Sequence, residues 1–184
     1  MIKIFSTGLL ILMLAGAALA QGKSSEAMAK QLKTLKADKT FALNYDKSSD
    51  VSKIYGFGES FAEAGRYKLE FVRFGLAFFF AGKTLASAPD SYTLTFQAGG
   101  KKPLFAGAHR LTLTIDNTDL DLGEARYVSK DIEYLNFKLT REQLSKIAKG
   151  KVVRAKLGDL EFALTAGHIK MFADLLALSD ASAL

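Results

Sequence analysis

Hydrophobic and polar residues alternate with a period of two over long stretches of this chain. Tyr92, Leu94 and Phe96 share one parity with Thr93 and Thr95 between them, and Leu111, Leu113 and Ile115 alternate with Thr112 and Thr114. Leu135, Phe137 and Leu139 repeat the pattern in a strand beginning at Ile132. Such alternation belongs to half-buried antiparallel strands. The longest strand-like run, 67–80, changes parity: Tyr67, Leu69 and Phe71 on one side, Phe74, Leu76, Phe78 and Phe80 on the other. One extra residue would bring both sets to one face, so a β-bulge or sharp bend is predicted over Arg73–Gly75. Phe79, opposed in parity to Phe78 and Phe80, is expected on the outer face, covered by a helix or a partner. The stretch 41–60 reads as irregular, with a polar loop over Asp46–Asp50 and an aromatic turn over Tyr55–Gly58.

A period near 3.6 appears in three places. Met28, Leu32 and Leu35 form one face of a short helix capped by Ser24 or Ser25, with Lys30, Lys33 and Lys36 in water. Thr140 followed by Gln143 is a capping-box pattern opening a helix that buries Leu144, Ile147 and Ala148 and ends at Gly150. Thr165 caps a last helix with Ile169, Phe172, Ala173 and Leu176 on one face, and the tail from Ser179 is expected to fray. Between these helices, Val152–Leu157 and Leu160–Leu164 predict a hairpin turning at Gly158-Asp159. After Ile115, Asp116–Asp119 reads as a turn into a short strand at Leu120–Leu122. The order is a short helix, about seven short strands, a helix, a hairpin and a helix, which argues against a parallel sheet. The predicted class is mainly β (α+β): an antiparallel β-sandwich or open barrel with an N-terminal helix, a short helix near 140–149 and a C-terminal helix.

The first twenty residues change the picture of address. Lys3, an apolar run from Leu9 to Leu14 and the ending Ala18-Leu19-Ala20 have the form of a secretory signal peptide. The run is too short for a membrane span, which needs roughly 20 apolar residues. The expected division is a leader over 1–20, a helix and linker over 21–40, one β-rich domain over 41–178 and a frayed tail over 179–184. The expected location is exported, periplasmic or extracellular, without stable membrane insertion. Losing Lys3 with the leader takes the net charge from +6 to +5, with the cations spread along the sequence. That pattern supplies no nucleic-acid footprint, and no nucleic-acid partner is expected. The chain has no cysteine and no tryptophan, so burial must hold it together and phenylalanine supplies the aromatic bulk.

Candidate chemistry is sparse. Two histidines, His109 and His168, stand apart without an HExxH pattern, and no Gly-x-Ser-x-Gly elbow is present. His168 reads as a half-covered helix-end residue and His109 as a loop base with no marked nucleophile. Gly99–Pro103 lacks the Gly-Lys-Ser/Thr ending of a phosphate loop, and Gly56 and Gly58 lack the third glycine of a dinucleotide fingerprint. No cofactor is expected. Asp116, Asp119 and Asp121 are the best local group of hard oxygen ligands and the candidate calcium site, although the spacing departs from an EF-hand. Phe74, Phe78, Phe80 and Phe96 are the candidate lining of an apolar ligand cavity, with ordinary core as the competing reading.

The segment from Phe137 to Thr165 and the Leu43–Lys47 stretch resemble secreted bacterial β-rich proteins of uncharacterised families. The resemblance implies export and a sandwich, and carries over no catalytic residue. The leading expectation is an exported, non-enzymatic binding or envelope-associated protein with a protein partner. The alternatives are a carrier or sensor of a small apolar ligand and a hydrolase of unrecognised type using His109. An exposed apolar patch or bare sheet edge would favour the first, an enclosed cavity the second, and His109 hydrogen-bonded at a cleft the third.

Overall fold

The computed structural model describes residues 23–34, 41–100, 103–107, 109–129 and 131–180. The predicted leader, the Leu35 end of the first helix and the tail 181–184 lie outside the described residues. The chain opens with β1 (Lys23–Ser24), α1 (Ser25–Thr34), β2 (Phe41–Asp46) and β3 (Val51–Phe57). A 3-10 helix (Ala62–Tyr67) leads into β4 (Phe71–Ala81), β5 (Thr84–Leu85) and β6 (Tyr92–Gly99). Next come β7 (Arg110–Ile115), β8 (Thr118–Glu124), β9 (Arg126–Ser129), β10 (Glu133–Leu139) and α2 (Arg141–Lys149). The hairpin β11 (Val153–Leu157) and β12 (Leu160–Ala163) and the helix α3 (Ala166–Ser179) complete the fold.

The strands form a six-stranded antiparallel sheet, β2-β3-β4-β6-β10-β9, and a four-stranded one, β12-β11-β7-β8, with a small β1-β5 pair beside them. This is the mainly antiparallel, sandwich-like α+β class that the alternation predicts. Phe74, Leu76, Phe78, Leu94, Phe96 and Phe137 line the inner side of the larger sheet. They share one core cluster with Leu111, Leu113, Val153 and Leu157 of the smaller sheet and with Leu144, Phe172 and Leu175 of the helices. Phe61, which opens the 3-10 helix, joins these layers: its ring lies 5.0 Å from Phe162, 5.9 Å from Phe74 and 6.1 Å from Phe96.

The helix starts follow from the caps. Thr140 accepts from the Gln143 amide while the Gln143 side chain accepts from Thr140, closing the predicted box. Ser24 accepts from the Ala27 amide at 3.2 Å, and Met28 of α1 is fully buried. At the other end, Tyr92 Oη and Ser179 Oγ are 2.8 Å apart and Arg141 donates to both at 3.2 Å, tying α2 and α3 to β6. Ser179, expected to begin a frayed tail, is therefore a buried part of α3.

Two local expectations are corrected. No bulge interrupts β4: its register runs unbroken from Phe71 to Ala77 against β6 and from Gly75 to Ala81 against β3. Tyr67 and Leu69 lie before the strand, in the 3-10 helix and the bend that follows, so the mixed parity never had to be resolved within one strand. The register shift falls instead between β7 and β8, at Arg110/Thr112. The stretch 41–60, read as irregular, contains the β2–β3 hairpin. Its inward positions in β3 are Ser52, Ile54 and Gly56, of which Ile54 alone is apolar, while Val51, Tyr55 and Phe57 face outward, so no apolar–polar strand period shows.

Candidate functional site

Every second residue of the six-stranded sheet points away from the core. On β3 these are Val51, Lys53, Tyr55 and Phe57; on β4 they are Phe71, Arg73, Gly75, Ala77, Phe79 and Ala81. On β10 and β9 they are Tyr134, Asn136, Lys138, Arg126 and Val128. The outer face thus carries five aromatic rings (Tyr55, Phe57, Phe71, Phe79, Tyr134) and four cations (Lys53, Arg73, Arg126, Lys138). Among the described strand residues of that face, Asp46 at one corner is the sole acid, and it is occupied by Ser48 and Ser49. Phe79 is 51% exposed and Phe57 36% exposed, while the other described phenylalanines are buried or half-buried.

Rings and cations on this face are ordered. Phe57 stands opposite Gly75 and Phe71 opposite Gly99 in the ladders. A Cβ placed on Gly75 would lie 2.5 Å from Phe57 Cδ1, and one on Gly99 would lie 2.5 Å from Phe71 Cε1. Each ring therefore lies down across its neighbouring strand, in space that only glycine leaves open. The Arg73 guanidinium sits between them, 4.7 Å from the Phe57 ring centre and 5.2 Å from that of Phe71. Gln97 Oε1 holds it there by accepting from Arg73 Nε at 3.1 Å. Lys53 Nζ repeats the arrangement, 4.7 Å from the Tyr55 ring and 5.5 Å from that of Phe79. Cations at these distances are attracted by the negative ring faces. Beside the aromatic row runs a neutral hydrogen-bonding row of Thr95, Gln97 and Asn136, in which Gln97 is buried and Thr95 donates to Asn136 Oδ1 at 2.7 Å.

The residues singled out from sequence are placed differently. Phe74, Phe78 and Phe96 are buried in the core and pack ring against ring: Phe74 lies 6.4 Å from Phe96 and 5.4 Å from Phe172, and Phe78 lies 6.0 Å from Tyr92. Phe80 is half-buried and borders an open groove of about 340 Å³ shared with Phe79, Leu85 and Pro89. Phe79 faces outward as its parity predicts, 51% exposed with Lys53 Nζ beside its ring.

Asp116, Asp119 and Asp121 do not converge. Asp116 accepts from the Lys151 and Val152 amides at 3.0 and 2.8 Å, and these bonds hold its carboxyl below the usual carboxylate range. Asp119 accepts from Thr114 Oγ1, while Asp121 takes the Gly123 amide and the Arg110 guanidinium. The groove of about 360 Å³ beside Asp116 and Asp119 is also lined by Lys146 and Lys149, an unfavourable field for a cation. Among the described residues no group of three or more metal-ligating side chains is positioned to hold a metal ion.

The histidines are held in structural surroundings. His168, expected to be half covered, is buried because its ring enters the core, 4.9 Å from the Phe61 ring and 5.1 Å from the Phe74 ring. The Thr165 amide donates to His168 Nδ1 at 3.2 Å, so the proton resides on Nε2, which donates to the Glu59 carbonyl at 3.1 Å. His109 stacks on Tyr127 at 5.0 Å, and its enclosed Nε2 has no hydrogen-bond partner among the described residues. The Tyr127 hydroxyl is directed to Glu133, whose buried carboxyl also accepts from the Leu104 and Phe105 amides. Sequence reasoning passed over the outer sheet face because its members come from separate strands. Phe79 was the one signal of it.

Among the described residues no helix is long and apolar enough to cross a membrane. Comparison with family models, with curated proteins and with solved structures finds no match to this chain.

Proposed function

We propose that this is an exported, non-catalytic binding protein whose working surface is the outer face of the six-stranded sheet. The observation that carries the reading is the composition of that face: five aromatic rings and four cations, with Asp46 its sole acid among the described strand residues. Exposed rings in such a patch are a common mark of association, and their cations favour an anionic partner. Phe74, Phe78 and Phe96 of the candidate cavity lining pack ring against ring with one another and with Tyr92 and Phe172, which favours the core reading of these residues and a surface over a carrier's interior.

A photoreactive amino acid placed at position 79 tests this in the producing cell, with position 156 on the outer side of the four-stranded sheet as control. Crosslinks to a macromolecule from 79 and not from 156 are expected. Equal labelling from both positions, or none from 79, overturns the proposal.

A further inference from the structure

We propose that the occupant of this face is an acidic polysaccharide, a polymer of sugar rings bearing carboxylate or phosphate groups. This rests on the reading of the sheet face as a binding surface and adds the chemistry of what it binds. A sugar ring has one side lined by C–H bonds, which stacks on a flat aromatic face, and a rim of hydroxyls, which needs amide and hydroxyl partners. The sheet offers both in parallel rows. Phe57 and Phe71 lie flat over Gly75 and Gly99, and the half-buried Thr95 and Asn136 follow on the next strands. Asn136 accepts through its side-chain carbonyl, which leaves its amide NH2 end as a donor, while buried Gln97 serves the face by holding Arg73 in place.

The acidic character follows from charge. Arg73 stands between two rings, so a ligand ring stacked on either one places its substituents beside a guanidinium, which suits carboxylate and phosphate. Lys53 does the same between Tyr55 and Phe79. The same charges disfavour a second copy of this chain, since two such faces would bring cations against cations. A single-stranded nucleic acid shares the stacking and the anionic backbone, but not the need for a row of neutral hydroxyl and amide partners.

The test uses the mature chain and four probes: polygalacturonate, neutral dextran, polyglutamate and oligothymidylate, titrated at fixed salt. Polygalacturonate is expected to bind at least about tenfold more tightly than each of the others. Phe57→Ser with Phe79→Ser, and separately Arg73→Ser, are expected to weaken it about tenfold, while Lys156→Ser leaves it unchanged. Thermal melts confirm that the exposed-face variants fold. Equal affinity for polygalacturonate and polyglutamate overturns the sugar class and leaves charge alone; tighter oligothymidylate overturns it in favour of nucleic acid. No binding to any probe, with crosslinking from position 79 intact, rejects the polysaccharide and keeps the face. Failure of both experiments rejects the face as well.

Discussion

His168→Leu isolates what the buried imidazole contributes. Leucine fills similar space but accepts and donates nothing, so the Thr165 amide and the Glu59 carbonyl both lose partners. Each lost bond costs about 1 kcal/mol when the partner group remains in place. The edge-on contacts with Phe61 and Phe74 add about 0.5 kcal/mol or more between them. The variant should therefore be destabilised by about 2–3 kcal/mol in urea unfolding. In a domain of this size that corresponds to a melting temperature lower by about 4–12 °C. His168→Gln restores an acceptor for the Thr165 amide, as glutamine does at Thr140–Gln143, and should recover about 1 kcal/mol. A leucine variant as stable as the parent, or a glutamine variant no better than leucine, would refute the reasoning.

Asp116→Asn keeps the side-chain shape at a residue with φ of 47°, a conformation asparagine tolerates, and removes the charge while leaving one oxygen to accept from the Lys151 and Val152 amides. Because the folded carboxyl is held below its ordinary value near 3.8, its stabilisation is full above that pH and fades as pH falls through the folded value. The parent's melting temperature should therefore fall more steeply than the variant's below pH about 4; parallel acid limbs would sink the idea. Glu133→Gln replaces one of two accepting oxygens by a donor facing Leu104, Phe105 or Tyr127. A loss of about 1–3 kcal/mol in urea unfolding is expected, with faster hydrogen exchange at the Phe105 amide; unchanged exchange there would argue against the anchoring role.

The parts of the fold visible in the sequence are those set by neighbours along the chain. Thr140 and Thr165 cap their helices, and the Gly158-Asp159 hairpin closes with Gly158 at φ 59°, because caps and turns are decided within a few residues. The β2–β3 hairpin was hidden because Ser52 takes an inward position. Its hydroxyl donates to the Gly82 carbonyl at 2.6 Å, a partner thirty residues away that no local pattern announces. The parity of β4 misled for a related reason: Tyr67 and Leu69 are apolar but belong to the 3-10 helix and the bend, not the strand. The candidate site was the least legible part. Phe57 meets Gly75, and Phe71 meets Gly99, only once strand register is known. Arg73 and Gln97 likewise meet across two strands.

The clamp of Asp116 on the Lys151 and Val152 amides has a consequence for the order of folding. The hairpins β7–β8 and β11–β12 close locally, but the ladder joining β7 to β11 must bring together segments separated by β9, β10 and α2. Non-local pairings of this kind are the slow events of β-rich folding. A slip of one residue at that joint would turn Val153, Ala155 and Leu157 out of the core and Arg154 and Lys156 into it. Asp116 grips the chain immediately before β11 starts, at the end of the ladder where Val153 meets Ile115. It acts as an alignment pin, so its loss should be felt as misregistered, slowly correcting chains during refolding as well as in the finished molecule.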